Sequence, residues 1–200
     1  SNEATSYLSY AQQPEMSYSA GFYEGGLLLE ILTAEPDAEI YYTIDGNLPN
    51  AESSIYTGPL WITSTQIVKA IVIPDEENCC DVYPSFLTFN TYFINENHNL
   101  PVLSTSANQL TNLLNGNQSL RPHGTIEYFD SDGIRTDFGY GEYNKHGQDS
   151  WAFPQRSYDY IARDEMGYHD AIHEKLLSLS DRDEFQRIII RASGDDNYPG

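Results

Sequence analysis

Between residues 27 and 94, apolar runs rich in β-branched and aromatic residues alternate with Gly, Pro, Asp and Asn. The runs are Leu27–Leu32, Glu39–Ile44, Gln66–Ile73 and Phe86–Ile94. Short runs at regular spacing, with turn residues between them and no helical period, predict a small β-sandwich. Asp45-Gly46 follows the second run directly and Pro49 interrupts any continuation, so this stretch reads as a turn, not as the place of a catalytic acid.

Beyond the polar bridge Asn95–Asn99 the pattern becomes mixed. Leu100–Ser104 predicts a short strand. Ser106 stands as N-cap of a helix carrying Leu110, Leu113 and Leu114, with Gly116 as its stop. Ile126–Phe129 and Ile134–Phe138 flank Asp130-Ser131-Asp132-Gly133, a hairpin signature. As a calcium loop it fails, because its glycine falls at the fourth position and no glutamate closes it. A charged strand near Tyr158–Arg163, a helix over about Asp170–Ser178 and a buried strand Phe185–Arg191 complete the expected elements.

Charge narrows the function classes. Thirty acids against ten bases give −20 over 200 residues; residues 1–95 hold thirteen acids and a single base, Lys69. Such a field repels phosphate backbones and anionic head groups, so nucleic acid and membrane surfaces are not expected partners. No apolar run approaches the roughly 20 residues of a spanning helix, and membrane insertion is not expected. The polar start Ser1-Asn2-Glu3-Ala4-Thr5 reads as a processed or engineered terminus. An acid-rich chain with 16 tyrosines against 8 phenylalanines suits a secreted or cell-surface protein. Cys79 and Cys80 are adjacent, with α-carbons about 3.8 Å apart, closer than the usual disulfide span. They read as two free thiols in an acidic loop, with a vicinal disulfide or metal pair as the alternative.

Candidate chemistry concentrates between Tyr143 and Glu165, where Lys145, His146, Asp149, Arg156, Arg163, Asp164 and Glu165 surround aromatic and proline residues. Gly139-Tyr140-Gly141, ahead of Lys145 and Gly147, reads as a bend at a strand end, or as a phosphate-covering loop lacking its third glycine. His169 and His173 stand at i, i+4 like zinc ligands. Glu174 follows the second histidine, so H-E-x-x-H is absent and a solvated face is expected. Asp195-Asp196-Asn197 offers hard oxygens to a divalent cation, or ends a strand in a polar turn. No serine or cysteine nucleophile stands beside a histidine in a recognisable pattern.

Two resemblances rest on these residues. The order I-Y-Y-T-I-D-G-N-L-P, then Y-T-G-P-L, then V-K-A, with Gly21-Phe22-Tyr23 ahead of them, resembles the immunoglobulin-like domain at the C-terminus of chitobiases and β-hexosaminidases. The likeness spans roughly residues 13–94. After residue 100, L-P-V-L-S, I-E-Y-F-D-S-D-G, K-H-G-Q-D-S, F-P-Q-R-S, A-R-D-E-M-G and I-I-I-R-A-S-G-D-D-N resemble, segment by segment, the CotH-type domain of spore-coat proteins and atypical secretory kinases.

The expected organisation is a tail over 1–12, an immunoglobulin-like β-sandwich over 13–94, a linker at 95–99, and the N-terminal part of an α+β CotH-like domain over 100–200. The second resemblance implies an ATP-dependent protein kinase using Mg²⁺ or Mn²⁺. It points to Lys145 and Arg156 as anion-facing cations, where Arg156 replaces the family's compact lysine ammonium with a planar fork. Asp195-Asp196 falls where the family commonly ends this portion with an N-D or D-D pair. The family's domain runs on past the position of Gly200, and the acids expected to hold the metal and act on the acceptor hydroxyl lie there, so residues 1–200 alone are not expected to transfer phosphate. The rival expectation is a non-catalytic bacterial surface module that binds a glycan or a protein.

Overall fold

The computed structural model of the chain describes residues 9–36, 38–75, 82–147, 156–164, 170–177 and 179–192. The chain divides into two compact units, Ser1–His98 and Asn99–Gly200.

The first unit is built from β1 (Ser9–Tyr10), β2 (Glu15–Met16), β3 (Gly21–Tyr23), β4 (Leu27–Leu29), β5 (Ile31–Leu32), β6 (Ala38–Thr43), β7 (Ser54–Ile55), β8 (Leu60–Ile62), β9 (Gln66–Pro74), β10 (Val82–Tyr83) and β11 (Thr88–Ile94). One layer is the five-stranded sheet β3-β11-β9-β6-β7, and the pairs β2-β5 and β4-β8 supply the strands opposite it. Leu27, Leu29, Ile31 and Ile62 from those pairs meet Ile40, Val68, Ala70, Val72, Tyr92 and Ile94 of the larger sheet in one buried cluster. This is the two-layer arrangement that strands with one apolar face adopt to remove it from water.

Ser9–Tyr10, expected in a disengaged tail, instead pair in parallel with Val82–Tyr83. The bridge after β11 is also fastened to this unit. Asn95 donates its N–H to Tyr23 O and accepts from Gly25 N–H, Glu96 accepts a hydrogen bond from the Thr65 hydroxyl, and His98 packs edge-on against Phe22.

The second unit contains β12 (Val102–Ala107), α1 (Leu110–Leu114), β13 (His123–Phe129), β14 (Arg135–Lys145), β15 (Tyr158–Ala162) and β16 (Arg187–Ile190). The strands form an antiparallel meander in chain order, β12-β13-β14-β15-β16. The β13–β14 hairpin turns where its sequence signature predicts. Asp130 Oδ1 accepts the N–H groups of Asp132 and Ile134, and Gly133 takes a φ of 79°.

Two expectations need correction here. Ser106 is no N-cap: it lies inside β12 opposite Thr125, and the helix starts after Gln109, held in the left-handed region with no side-chain cap. The described residues of 170–178 form no helix. Ile172 exchanges both backbone hydrogen bonds with Phe185, and Asp137 Oδ2 accepts the His173 N–H, so tertiary partners take the groups a helix would use. Among its described residues the second unit is mostly sheet, with one short helix.

Small side chains let the strands of the meander approach closely. Ala107, Gly124, Gly141 and Ala162 occupy one register row across four strands. A Cβ on Gly124 would sit 2.1 Å from Ser106 O, and one on Gly141 would sit 2.1 Å from Ile161 O. Only glycine permits strands to approach this closely. The sheet's apolar face packs Ile126, Tyr143, Tyr160 and Ile188 against Leu113, Ile172 and Phe185.

Candidate functional site

Strand alternation in β14 sends Gly139, Gly141 and Tyr143 to the apolar face and Phe138, Tyr140, Glu142 and Asn144 to the other. Register then places Asp159 and Ile161 of β15, and Arg187 of β16, on that second face. The result is a sheet surface organised around carboxylates. Asp159, with its side chain almost fully buried, accepts from Arg187 Nη2 at 2.5 Å, and His146 Nδ1 lies 2.9 Å from its other oxygen. Glu142 lies 3.5 Å from Arg163 and 3.8 Å from His123. Asn144, the register partner of Asp159, donates its amide to Glu142 at 2.7 Å. One strand further, buried Glu127 pairs with Arg135 at 2.7 Å, and that guanidinium lies over the Phe138 ring.

Burying a carboxylate is tolerable only when it is paired and hydrogen-bonded, and here each acid has an arginine. Three acids are thus matched by three arginines.

The sequence-predicted cations lie elsewhere. Lys145 Nζ donates to Gln118 Oε1 at 2.6 Å, and Arg156 Nη1 donates to Leu114 O. Both therefore end on the segment that leaves α1. Asp159 is held by Arg187 and His146. Gly139-Tyr140-Gly141 lies within β14, where Gly139 makes room for the Tyr160 hydroxyl and Gly141 for the backbone of β15, so it is neither a strand-end bend nor a loop. Burial there pushes the Tyr140 phenol up to about 12. His173 is exposed; His169, Asp149, Glu165, Cys79, Cys80, Asp195 and Asp196 lie outside the described residues.

The first unit carries a different kind of surface. In the β4-β8 pair, Leu27, Leu29 and Ile62 point into the core, so alternation turns Leu28 and Trp61 outward as register partners. Trp61 is 69% exposed and Leu28 40%. Glu30 follows Leu28 on the same exposed side, and Thr63 follows Trp61. A second exposed aromatic set joins Tyr10 to Phe86, stacked at 4.6 Å, and to Tyr83 at 5.6 Å. A tryptophan is large enough that monomeric folds normally bury most of it. Sequence reasoning passed over Trp61, although the alternation Leu60-Trp61-Ile62 beside Pro59 is the signal that turns it outward.

The comparisons with known proteins bear on this unit. Residues 18–83 match the family described as the chitobiase/beta-hexosaminidase C-terminal domain. The match runs from just before β3 to the end of β10 and includes both Leu28 and Trp61. It supports the immunoglobulin-like assignment of the first unit, and nothing in the comparisons supports the CotH-like resemblance of residues 100–200. No curated protein matches the chain significantly, and no solved structure does.

Proposed function

We propose that the chain is a non-catalytic glycan-binding module of an extracellular or cell-surface bacterial protein, with the ligand resting on the β4-β8 face of the sandwich. The carrying observation is Trp61, exposed on a rigid strand pair beside Leu28 within the stretch that matches the chitobiase/β-hexosaminidase family. A flat indole face buries the C–H face of a pyranose ring. The strand pair fixes the backbone that carries the indole before binding, which lowers the entropy lost on association. The acid-matched arginines on the second unit's sheet face give no reason to assign phosphate chemistry. The test is retention on immobilised insoluble polysaccharides of the intact chain and of Trp61→Ala. Retention lost in the variant, with its fold unchanged by circular dichroism, supports the reading; equal retention of both refutes it.

A second reading concerns residues 100–200 as the N-terminal portion of a CotH-like domain. It is supported by Lys145 and Arg156, which flank one segment of sequence and meet at the same exit of α1. In that reading they face a nucleotide's phosphates, Asp195 and Asp196 contribute to holding Mg²⁺ or Mn²⁺, and the acceptor is a protein. The intact chain alone then binds ATP weakly and transfers no label. An Arg156→Ala variant that folds normally yet binds ATP as the parent does removes the support for this reading.

A further inference from the structure

Unit charge and the geometry around Trp61 select among glycans. Residues 1–95 contain one basic side chain, Lys69, and it is fully buried, with its ammonium on Gly46 O at 2.7 Å. The described surface of the sandwich therefore carries carboxylates without any lysine or arginine to neutralise them. Glu30, the residue that joins β4 to β5, is exposed and lies two residues beyond Leu28, about 7 Å along an extended chain. Only its backbone is engaged in bonding among the described residues, with Ser17, leaving the carboxylate to a ligand.

Resting on the reading above, we infer that the Trp61 face takes a glycan bearing free amino groups, a de-N-acetylated hexosamine polymer, in preference to neutral or acidic ones. The indole accepts the sugar ring, and its electron-rich face also attracts a nearby ammonium. The Glu30 carboxylate pairs with that ammonium. The surrounding net charge of −12 raises the local concentration of a polycation and repels a uronate or sulfate polymer. Thr63, beside Trp61, offers a hydroxyl to the sugar's own hydroxyls without adding charge.

The test titrates the intact chain with three oligosaccharides of equal length: a glucosamine oligomer, its N-acetylated counterpart and a galacturonate oligomer. The glucosamine oligomer is expected to bind about fivefold tighter than the acetylated one at low salt, the gap closing as salt screens the exposed charges. Glu30→Gln should narrow the gap at low salt while leaving affinity for the acetylated oligomer unchanged. Trp61→Ala should weaken both. Equal or tighter binding of the acetylated oligomer, or a gap that Glu30→Gln leaves unchanged, overturns the inference and leaves the glycan-binding reading in place. Failure of all three oligomers to bind overturns both.

Discussion

The ammonium of Lys69, on the central strand β9, lies 2.7 Å from the carbonyl oxygen of Gly46, and the side chain between them is fully buried. The one base of the first 95 residues thus fastens the Asp45–Gly46 turn to the sheet. Asp45 itself closes the turn by accepting from the Asn47 backbone and amide. Lys69→Met keeps the volume and removes the donor, leaving the buried Gly46 carbonyl short of a partner. The expected loss is about 1–3 kcal/mol, read as a lower denaturant midpoint with unchanged slope. A midpoint equal to the parent's would show that the turn does not depend on this bond.

The glycine row of the second unit makes a sharper prediction. Gly141→Ala drives a methyl against Ile161 O, and Gly124→Ala drives one against Ser106 O and Ala107 Cβ. Backbone atoms cannot yield as a flexible side chain does, so each substitution should cost at least about 3 kcal/mol and remove the cooperative transition of this unit. Gly58→Ala, with nothing within 4 Å of its added carbon, is the control. It should stay within about 0.5 kcal/mol of the parent.

Alkaline pH should act first on the second unit's sheet. Tyr143 and Tyr160 hold their protons well above the ordinary phenol value of 10.0 because burial disfavours the phenolate; neighbouring tyrosines add to this for Tyr143, and Asp137 does so for Tyr160. Burial alone raises Tyr140 to about 12. A raised value in the fold means the unfolded chain loses its protons first. The stabilisation is complete below pH 10, and it falls as pH rises from 10 through the folded values. Denaturant titrations between pH 10 and about 12, followed by phenolate absorbance, should show these tyrosines ionising together with unfolding. Full ionisation at pH 10 with the sheet intact would contradict this.

Acid should loosen the end of the first unit. Hydrogen bonds from Thr65 and His98 hold the Glu96 carboxyl below its ordinary value of 4.5. Their contribution is present above pH 4.5 and disappears as pH falls through the lowered value. Protease cleavage should therefore begin at Asn99–Leu100 at neutral pH and spread into Asn95–His98 on acidification. Early cleavage within Glu39–Ile44 would count against the unit boundary.

Most of the first unit's larger sheet was legible because its strands are apolar on one face and bounded by turn residues. The runs 39–44, 66–73 and 86–94 correspond to β6, β9 and β11. The β13–β14 hairpin was legible for the same local reason. Long-range partners hid the rest. The sequence D-A-I-H-E-K-L-L has a helical look, yet Phe185 and Asp137, distant in sequence, take the hydrogen bonds of Ile172 and His173. Ser106 looked like a cap because Thr125 opposite it cannot be seen from local sequence. The pairings of Asp159 with Arg187 and of Glu142 with Arg163 depend on strand register, which charge counting does not supply.

The role of Trp61 as a ligand platform can be read directly from its fluorescence. The chain has two tryptophans, Trp61 and Trp151, so Trp151→Phe leaves Trp61 as the only indole fluorophore. Adding a soluble hexosamine oligomer to that variant should produce a saturable change in emission. The indole is 69% exposed before binding, so the spectrum should shift to the blue as the sugar covers it. Saturable binding by calorimetry with no change in Trp61 emission would place the ligand elsewhere, and no binding by either measurement would remove the claim altogether.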